Sequence, residues 1–396
     1  MRGTLERHFW RADPALHAPS RYRKGCEYET FTPLPLEGLE VALPGEVAAS
    51  VAEAERAIGE LNRRAAPELA PLARLLLRTE SIASSRIEGL QVDAASLARA
   101  EAESDAGHGV GPRAAEVLGS VDAMEFAIQA ASSRSSIRRR DLEQVHAALM
   151  KRSPTPHIAG LIRSTQGWIG GNDYNPCGSD FVPPPPEALE PLLDDLCRFC
   201  NRGDLPPLVQ AAIAHAQFET IHPFGDGNGR TGRALVQVLL RLRRLAPAFV
   251  PPISVALSVD RDAYIGGLTR FREDRIPEWL EMFSVASARA AFLAGFYLER
   301  VRNLQEEWRS RLRAVAAPPR ADAAAWAVID ILPAHPVISV ALAVAATGRT
   351  KAPVNEAFPR LVDAGVLRPL RATKRNRLWE ADGLLDLIVG LESGLT

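Results

Sequence analysis

The decisive stretch of this sequence is Ile221-His222-Pro223-Phe224-Gly225-Asp226-Gly227-Asn228-Gly229-Arg230-Thr231-Gly232-Arg233. It places one histidine, one carboxylate, one amide and two arginines among four glycines. Cores are built from apolar residues, whereas polar side chains on glycine-rich loops are typical of binding and catalytic sites. The stretch therefore predicts a functional site.

The flanks of this stretch predict two helices joined by a loop. Residues 208–221 are apolar on most faces and contain neither glycine nor proline, which favours a buried helix. Residues 230–245 carry leucine and valine on one face, which favours a second helix. Pro223 pushes the preceding residue, His222, out of the helical conformation. We therefore expect His222 to turn away from the first helix.

The loop between the helices is predicted to bind a polyphosphate. Glycines allow consecutive N–H groups to converge on an anion, and the start of the following helix adds its dipole. Arg230 and Arg233 are three residues apart, so both project from the first helical turn and can hold a phosphate tail. Asp226 would repel that tail unless Mg²⁺ lay between them. His222 is the loop side chain that can accept a proton near neutral pH.

Other readings of the same residues give weaker predictions. Residues 227–232 match GxGxxG, but a helix precedes them where a dinucleotide site needs a strand, and no Walker Lys-Ser/Thr pair follows. His215, Glu219 and His222 are spaced to share a helix face around zinc. We favour the alternative that His215 and Glu219 form a hydrogen-bonded pair behind the loop.

Residues 222–233 resemble the signature of the Fic family, H-x-F-x-[D/E]-G-N-G-R-x-x-R, with every defined position filled. The resemblance implies a protein adenylyltransferase, which moves AMP from ATP onto a Ser, Thr or Tyr hydroxyl of another protein. By position, His222 is then the base and Asp226 holds Mg²⁺. Arg230 would contact the β-phosphate and Arg233 the γ-phosphate. The implied ATP-binding residues are Phe224, Gly225, Gly227, Asn228, Gly229, Arg230 and Arg233, with Phe224 anchoring the loop in the core.

A second motif lies upstream, at the end of a predicted helix. Glu88 is unfavourable there because a carboxylate opposes the helix dipole, so another contact should stabilise it. Ser84, Glu88 and Gly89 resemble the inhibitory motif [S/T]-x-x-x-E-[G/N] of some Fic proteins. The resemblance implies that Glu88 pairs with Arg233 and blocks the γ-phosphate. An alternative stays open, in which Glu88 orients a water and the protein removes AMP from a modified target.

Residues 160–182 predict a short hairpin that leads into Pro183–Pro186. In Fic proteins a hairpin at this place is a flap that holds the target protein by strand addition. The target, which the sequence does not name, could be a second copy of this chain, and a homo-oligomer stays open. Tyr264 is read either as approaching the adenine or as a core residue.

Composition limits the class of protein. The chain has 396 residues, 46% of them hydrophobic, and a net charge of −1, which argues against a protein that coats nucleic acid. The N-terminus carries no evident signal peptide, and the longest apolar run, residues 337–346, is too short to span a membrane. The four cysteines are few and scattered, so we expect reduced thiols and a cytoplasmic protein.

The predicted fold is mainly α: a Fic-type helical bundle with a β-hairpin flap, followed by a small winged-helix domain. We divide the chain into an N-terminal arm and helices at 1–111, including the inhibitory helix, and a catalytic domain at 112–300. A helix end and linker follow at 301–319, and the winged-helix domain at 320–396. Within the first part, residues 1–45 are expected to form an extended arm and residues 103–111 an exposed loop.

The C-terminal prediction rests on the order helix, helix, helix, strand, strand, with helices at 323–332, 337–346 and 351–364. Winged-helix domains bind DNA or mediate dimerisation and protein contacts. A DNA-binding regulator with the Fic loop as a sensor is therefore a third reading. The residues expected to contact DNA are Arg349 and Lys351 in the groove, and Lys374, Arg375 and Arg377 on phosphates.

Overall fold

The computed structural model describes residues 1–12, 15, 17–64, 70–105, 109–370 and 377–393. Helices dominate it, which confirms the mainly α prediction. The helices are α1 (Gly45–Arg63), α2 (Ala70–Ile87), α3 (Ala94–Asp105), α4 (Pro112–Ser132), α5 (Arg139–Met150), α6 (Leu189–Cys200), α7 (Pro207–Ile221), α8 (Asn228–Leu242), α9 (Ile253–Val259), α10 (Arg261–Arg272), α11 (Ile276–Arg313), α12 (Ala324–Ile331), α13 (Val340–Thr347), α14 (Lys351–Asp363) and α15 (Leu384–Glu392). The strands are β1 (Gly3–Trp10), β2 (Cys26–Pro33), β3 (Val337–Ile338), β4 (Leu367–Pro369) and β5 (Trp379–Ala381).

Helix α7 is the centre of the bundle. Every residue from Leu208 to Ile221 is buried, so this helix has no solvent face. It packs against α8 and α6, and the long helix α11 runs past it from Ile276 to Arg313. The loop between α7 and α8 is therefore held between two elements that are anchored in the core.

The N-terminal arm forms a β-hairpin, whose pairing the sequence analysis did not predict. Strands β1 and β2 pair antiparallel from Gly3 opposite Pro33 to Trp10 opposite Cys26. Both segments contain aromatic residues and threonine, which favour strands. The hairpin reaches the flap, because the Phe31 N–H donates to the Val182 carbonyl at 2.9 Å.

Two of the four cysteines form a disulfide, so the expectation of four reduced thiols was also wrong. Cys26 of β2 and Cys177 of the flap are bonded, with their Cα atoms 5.9 Å apart. The two are 151 residues apart in the sequence, and only the folded chain brings them together. Cys197 and Cys200 of α6 are free and buried.

The flap is a hairpin with little regular pairing. Its two arms meet at the antiparallel bridge between Ile169 and Phe181, and Ile162 bridges to Phe224 of the loop. The tip is a turn in which the Asn172 side-chain oxygen accepts from the Tyr174 and Asn175 N–H groups. The predicted loop at 103–111 is shorter than expected, because α3 continues to Asp105, and residues 106–108 lie outside the described part.

The C-terminal segment contains α12, α13 and α14 with a three-stranded antiparallel sheet in the order β3-β5-β4, followed by α15. The sequence predicted the three helices and two of the strands. It placed Val337 and Ile338 in a helix, but these β-branched residues form β3, and α13 begins after Ser339, whose Oγ accepts from the Leu342 N–H. Lys374 and Arg375 lie outside the described residues, and the winged-helix assignment stays a prediction.

The C-terminal segment is packed on the rest of the protein. Trp308 of α11 is fully buried and donates to the Asp382 carbonyl at 3.1 Å. Within the described ranges, no helix is both long enough and apolar enough to cross a membrane.

Candidate functional site

His222 caps α7 in a left-handed conformation, with φ 49° and ψ 59°. Its N–H still donates to the Phe218 carbonyl, so the chain leaves the helix at this residue, as Pro223 predicted. Burial, together with the charge of Arg163, lowers the pKa of His222 to about 4. The imidazole is therefore neutral near pH 7. Its Nδ1 is buried and has no hydrogen-bond partner among the described residues.

Phe224 anchors the loop, as predicted. Its ring is buried and stacks on the ring of His146, with the centroids 3.8 Å apart. Asn228 closes the turn: its Oδ1 accepts from the Phe224 N–H at 2.9 Å and its Nδ2 donates to the Phe224 carbonyl at 2.8 Å. The amide side chain that was expected to contact phosphates thus also fixes the loop backbone.

His146 of α5 supports the loop from below, and the sequence analysis missed it. Its Nδ1 accepts from the Gly160 N–H, and its Nε2 lies 3.0 Å from the Asp226 carbonyl. Nε2 therefore carries the proton. Burial lowers the pKa of His146 to about 4, so the ring stays neutral. A single histidine on the apolar face of a helix gives no signal of such a role.

Arg163 of the flap is the second residue that the sequence analysis missed. Its Nε donates to the His222 carbonyl at 2.9 Å, its N–H to the Pro223 carbonyl at 2.9 Å, and its Nη2 to the Pro184 carbonyl at 2.6 Å. Burial lowers the pKa of Arg163 to about 10, which leaves the guanidinium charged. Arg163 therefore connects the flap to the carbonyl groups of His222 and Pro223, where the chain leaves α7.

Arg230 is buried and forms an ion pair with Glu116 of α4, with Nη1 3.0 Å from Oε1. Its Nη2 lies 3.7 Å from Asp226 Oδ1. Glu116 was not predicted, because it lies 114 residues away in the sequence. The pair fixes the arginine at the start of α8, beside the loop N–H groups.

Asp226 was predicted to hold Mg²⁺. Its side chain is 54% exposed, and its Oδ1 accepts from the Gly227 N–H at 2.6 Å. The part of the chain that the structure describes contains no cluster of three or more histidine, cysteine or acidic residues that could hold a metal. One exposed carboxylate fits Mg²⁺ whose other ligands are phosphate oxygens and waters, and it does not fit an all-protein site.

Glu88 and Arg233 are in contact across the site. Arg233 Nη2 donates to Glu88 Oε1 at 2.6 Å and to the Ser84 carbonyl at 2.9 Å, and its Nε donates to Ser84 Oγ at 2.8 Å. Burial alone would raise the pKa of Glu88, but the charge and the hydrogen bond of Arg233, together with the charge of Arg230, outweigh it and the net pKa is lowered. Two of the three residues of the upstream motif, Ser84 and Glu88, lie at this contact, and Gly89 follows at a positive φ of 82°.

Glu88 also covers the start of α8. A Cβ built on Gly229 would overlap Glu88 Oε1 and lie 2.9 Å from Arg233 Nη1. The carboxylate therefore lies against the first turn of the helix, where the loop was expected to receive phosphate oxygens.

His215 and Glu219 are not hydrogen-bonded to each other, since His215 Nδ1 and Glu219 Oε1 are 3.9 Å apart. The hydrogen bond of His215 is instead between Nε2 and the Tyr264 hydroxyl, at 2.9 Å. Burial lowers the pKa of His215 to about 3 and raises the pKa of Glu219 to about 8, so both are neutral near pH 7. Tyr264 is buried and is a core residue.

Comparison with known proteins identifies the family of this site. Residues 136–240 match the Fic/DOC family, and residues 48–129 match the Fic/DOC family N-terminal region. The chain contains a Fic domain. The first match covers the flap, the loop and most of α8, and the second covers α2 with the residues that contact Arg233.

Curated relatives match over the same region. The protein adenylyltransferase Fic of Nematostella vectensis is 33% identical over 153 residues, which are 38% of this chain and 32% of the relative. That of Drosophila grimshawi is 32% identical over 139 residues, which are 34% of this chain and 27% of the relative. The chain thus spans about a third of the length of these relatives.

Solved structures share the fold. A Fic family protein from Desulfovibrio desulfuricans G20 superposes with a TM-score of 0.53 at 20% identity, over 87% of this chain and 98% of that one. Fic-1 from C. elegans superposes with a TM-score of 0.50 at 21% identity, over 64% of this chain and 74% of that one. At these identities the likeness concerns the Fic fold.

Proposed function

We propose that this chain is a protein adenylyltransferase that transfers AMP from ATP to a Ser, Thr or Tyr hydroxyl of a protein docked on the flap. The observation that carries the proposal is the neutral, half-buried imidazole of His222 beside a glycine loop, a helix start and two arginines. The names of the curated relatives support the same reaction class.

The reaction follows from these positions. The loop N–H groups and the start of α8 bind the phosphates of ATP. His222 takes the proton of the target hydroxyl, whose oxygen forms a bond to the α-phosphorus as the bond to the β-phosphate oxygen breaks and pyrophosphate leaves. Asp226 would hold Mg²⁺, which supplies charge neutralisation of the phosphates. Arg163 keeps the His222 backbone in its left-handed turn, so the imidazole needs no rearrangement during the transfer.

The enzyme is autoinhibited in this proposal. Arg233 is held by Glu88 and Ser84 and is unavailable to the γ-phosphate. A hydrogen bond between charged groups contributes roughly 1.5–3 kcal/mol, which corresponds to about a ten- to hundredfold restraint. The Glu88 side chain is 37% exposed, so solvent screening puts the expected restraint near the lower end of this range.

The test is transfer of label from α-labelled ATP in a cell lysate, with wild type, Glu88→Gly and His222→Ala compared side by side. We expect weak label with wild type, about tenfold more with Glu88→Gly, and none with His222→Ala. ATP binding should survive in His222→Ala, because the phosphates are held by the loop. Equal label with wild type and Glu88→Gly would exclude autoinhibition, and normal transfer by His222→Ala would exclude this base.

The same experiment tests the hydrolase alternative. If no variant transfers label, but AMP is released from a modified protein only when Glu88 is present, Glu88 orients a water and the reaction runs in the opposite direction. Binding of DNA by residues 320–396, a homo-oligomer and a cytoplasmic location stay predictions. Salt-dependent binding of one duplex by the full chain would support the DNA-binding regulator.

A further inference from the structure

Helix α2 contacts two parts of the protein with opposite faces. Ser84 and Glu88 are four residues apart, so they lie on one face and meet Arg233. Arg86 is two residues from each, which places it on the far side of the helix end. The last turn of the inhibitory helix is therefore held from both sides.

The partner of Arg86 is Glu392, the last residue of α15. Arg86 Nη1 donates to the Glu392 carbonyl at 2.7 Å, and Nη2 donates to Glu392 Oε2 at 3.0 Å. The Glu392 side chain is 4% exposed, whereas that of Arg86 is 31% exposed. Removing one partner of such a buried pair is costly, because the other polar group is left in the protein interior without its partner.

A second contact lies at the other end of α2. Arg74 Nη1 is 3.4 Å from His335 Nε2, and Arg74 also forms an ion pair with Glu101 of α3 at 3.1 Å. The turn Leu332–Ala334, which follows α12, packs along α2. Residues 320–370 and 377–393, which we call the C-terminal unit, thus contact α2 near both of its ends.

We propose that the C-terminal unit restrains the last turn of α2 through Arg86 and Glu392, and so sets how often Glu88 leaves Arg233. The consequence for activity rests on the proposed function. Movement of α15 away from α2 frees Arg86, loosens the turn at Gly89 and lets Glu88 separate from Arg233. The pair couples the C-terminal unit to the catalytic loop although it touches no residue of that loop.

The test uses the full chain with Glu392→Ala and the matched control Glu380→Ala. Glu380 also pairs with an arginine at 3.0 Å, Arg368, but within the C-terminal unit and away from α2. Hydrogen exchange of residues 82–90 and AMP incorporation are measured on both variants and on Glu88→Gly. We expect faster exchange in this segment for Glu392→Ala and unchanged exchange for Glu380→Ala. AMP incorporation should rise by up to about tenfold, since a charged hydrogen bond contributes roughly that factor to an equilibrium.

The outcomes separate the two proposals. Unchanged exchange of residues 82–90 in Glu392→Ala would overturn the restraint whatever the activity. If Glu88→Gly incorporates AMP but Glu392→Ala incorporates no more AMP than wild type, the coupling to activity is overturned. Inactive Glu88→Gly would overturn the proposed function, and the exchange data would still decide on the restraint. If Glu392→Ala fails to fold, Arg86→Gln replaces it, because glutamine keeps a donor for the Glu392 carbonyl and loses the charge.

Discussion

At the scale of single residues, local chemistry and long-range pairing contribute different parts of the site. Helix α7 ends at His222 because a proline follows, and Phe224 is buried because it is the large apolar side chain of a polar loop. Arg163 and Glu116 contribute as much to the geometry, yet each acts through partners far away in the sequence. Neither position looks unusual in a single sequence.

Gly229 offers a test of the contact between Glu88 and the start of α8. Gly229→Ala should break the pair of Glu88 and Arg233, because the methyl group would overlap Glu88 Oε1. We expect a loss of about 1 kcal/mol in the free energy of unfolding in wild type. In the Glu88→Gly background the same change should be neutral or stabilising, since alanine favours helix more than glycine.

The measurement is a double-mutant cycle by urea unfolding of the four proteins. Equal effects of Gly229→Ala in both backgrounds would mean that Glu88 does not lie against this turn.

Glu219 gives a prediction on pH dependence. Its folded pKa is about 8 because of burial, against 4.5 for an unperturbed carboxyl. A raised carboxyl pKa means that the folded state binds the extra proton between these values, so stability falls as pH rises from about 4.5 to about 8. Glu219→Gln lacks this titration. The free energy of unfolding of this variant minus that of wild type should therefore increase by about 1.4 kcal/mol per pH unit as the pH rises through this window.

Urea unfolding of both proteins at several pH values from 5 to 8 checks this. A difference that stays constant across the window would show that Glu219 is ionised in the folded protein.

At the scale of elements, the flap is joined to more of the protein than its sequence suggests. The N-terminal hairpin pairs with it at Phe31 and is bonded to it through Cys26 and Cys177. The rings of Trp10 and Trp168 add an edge contact at 5.8 Å between their centroids. A segment with one bridge between its own arms is thus positioned largely by its neighbours.

The disulfide predicts a specific labelling pattern. An alkylating agent should modify two cysteines of the denatured protein without reductant, and four after a dithiol is added. The reductant should also lower the free energy of unfolding by about 2–4 kcal/mol, because the bond restricts the unfolded chain. The Cys26→Ser/Cys177→Ser variant serves as the control, since its stability should not respond to reductant. Four modified cysteines without reductant would exclude the bond.

At the scale of the whole molecule, α11 joins the Fic domain to the C-terminal unit. Trp308 is fully buried at this junction and donates to the Asp382 carbonyl. Trp308→Ala should cost about 3–5 kcal/mol, because it removes a large buried ring. Cleavage by a protease within residues 314–323 should become faster. Trp168→Ala is the control, because that ring is half-buried in the flap, away from this junction. Equal protease sensitivity of the two variants would exclude this role of Trp308.

The sequence by itself determined those helices and turns that depend on residues close together along the chain. Hydrophobic periodicity placed α7 and α8, and proline placed the end of α7 at His222. The motif also identified the pairing partners Glu88 and Arg233. The helices and the turn follow from backbone sterics and helical spacing, which act over a few residues. The pairing of Glu88 with Arg233, which are 145 residues apart, was implied by the resemblance to the Fic family.

Only the tertiary structure decided the contacts between distant segments. It brought Arg163 to His222, Glu116 to Arg230, Cys26 to Cys177 and Arg86 to Glu392. It also replaced the expected pair of His215 and Glu219 by a bond to Tyr264. Burial and pairing of polar groups depend on which surfaces meet after the chain packs. The pattern of residues along one sequence does not show which distant segments will meet.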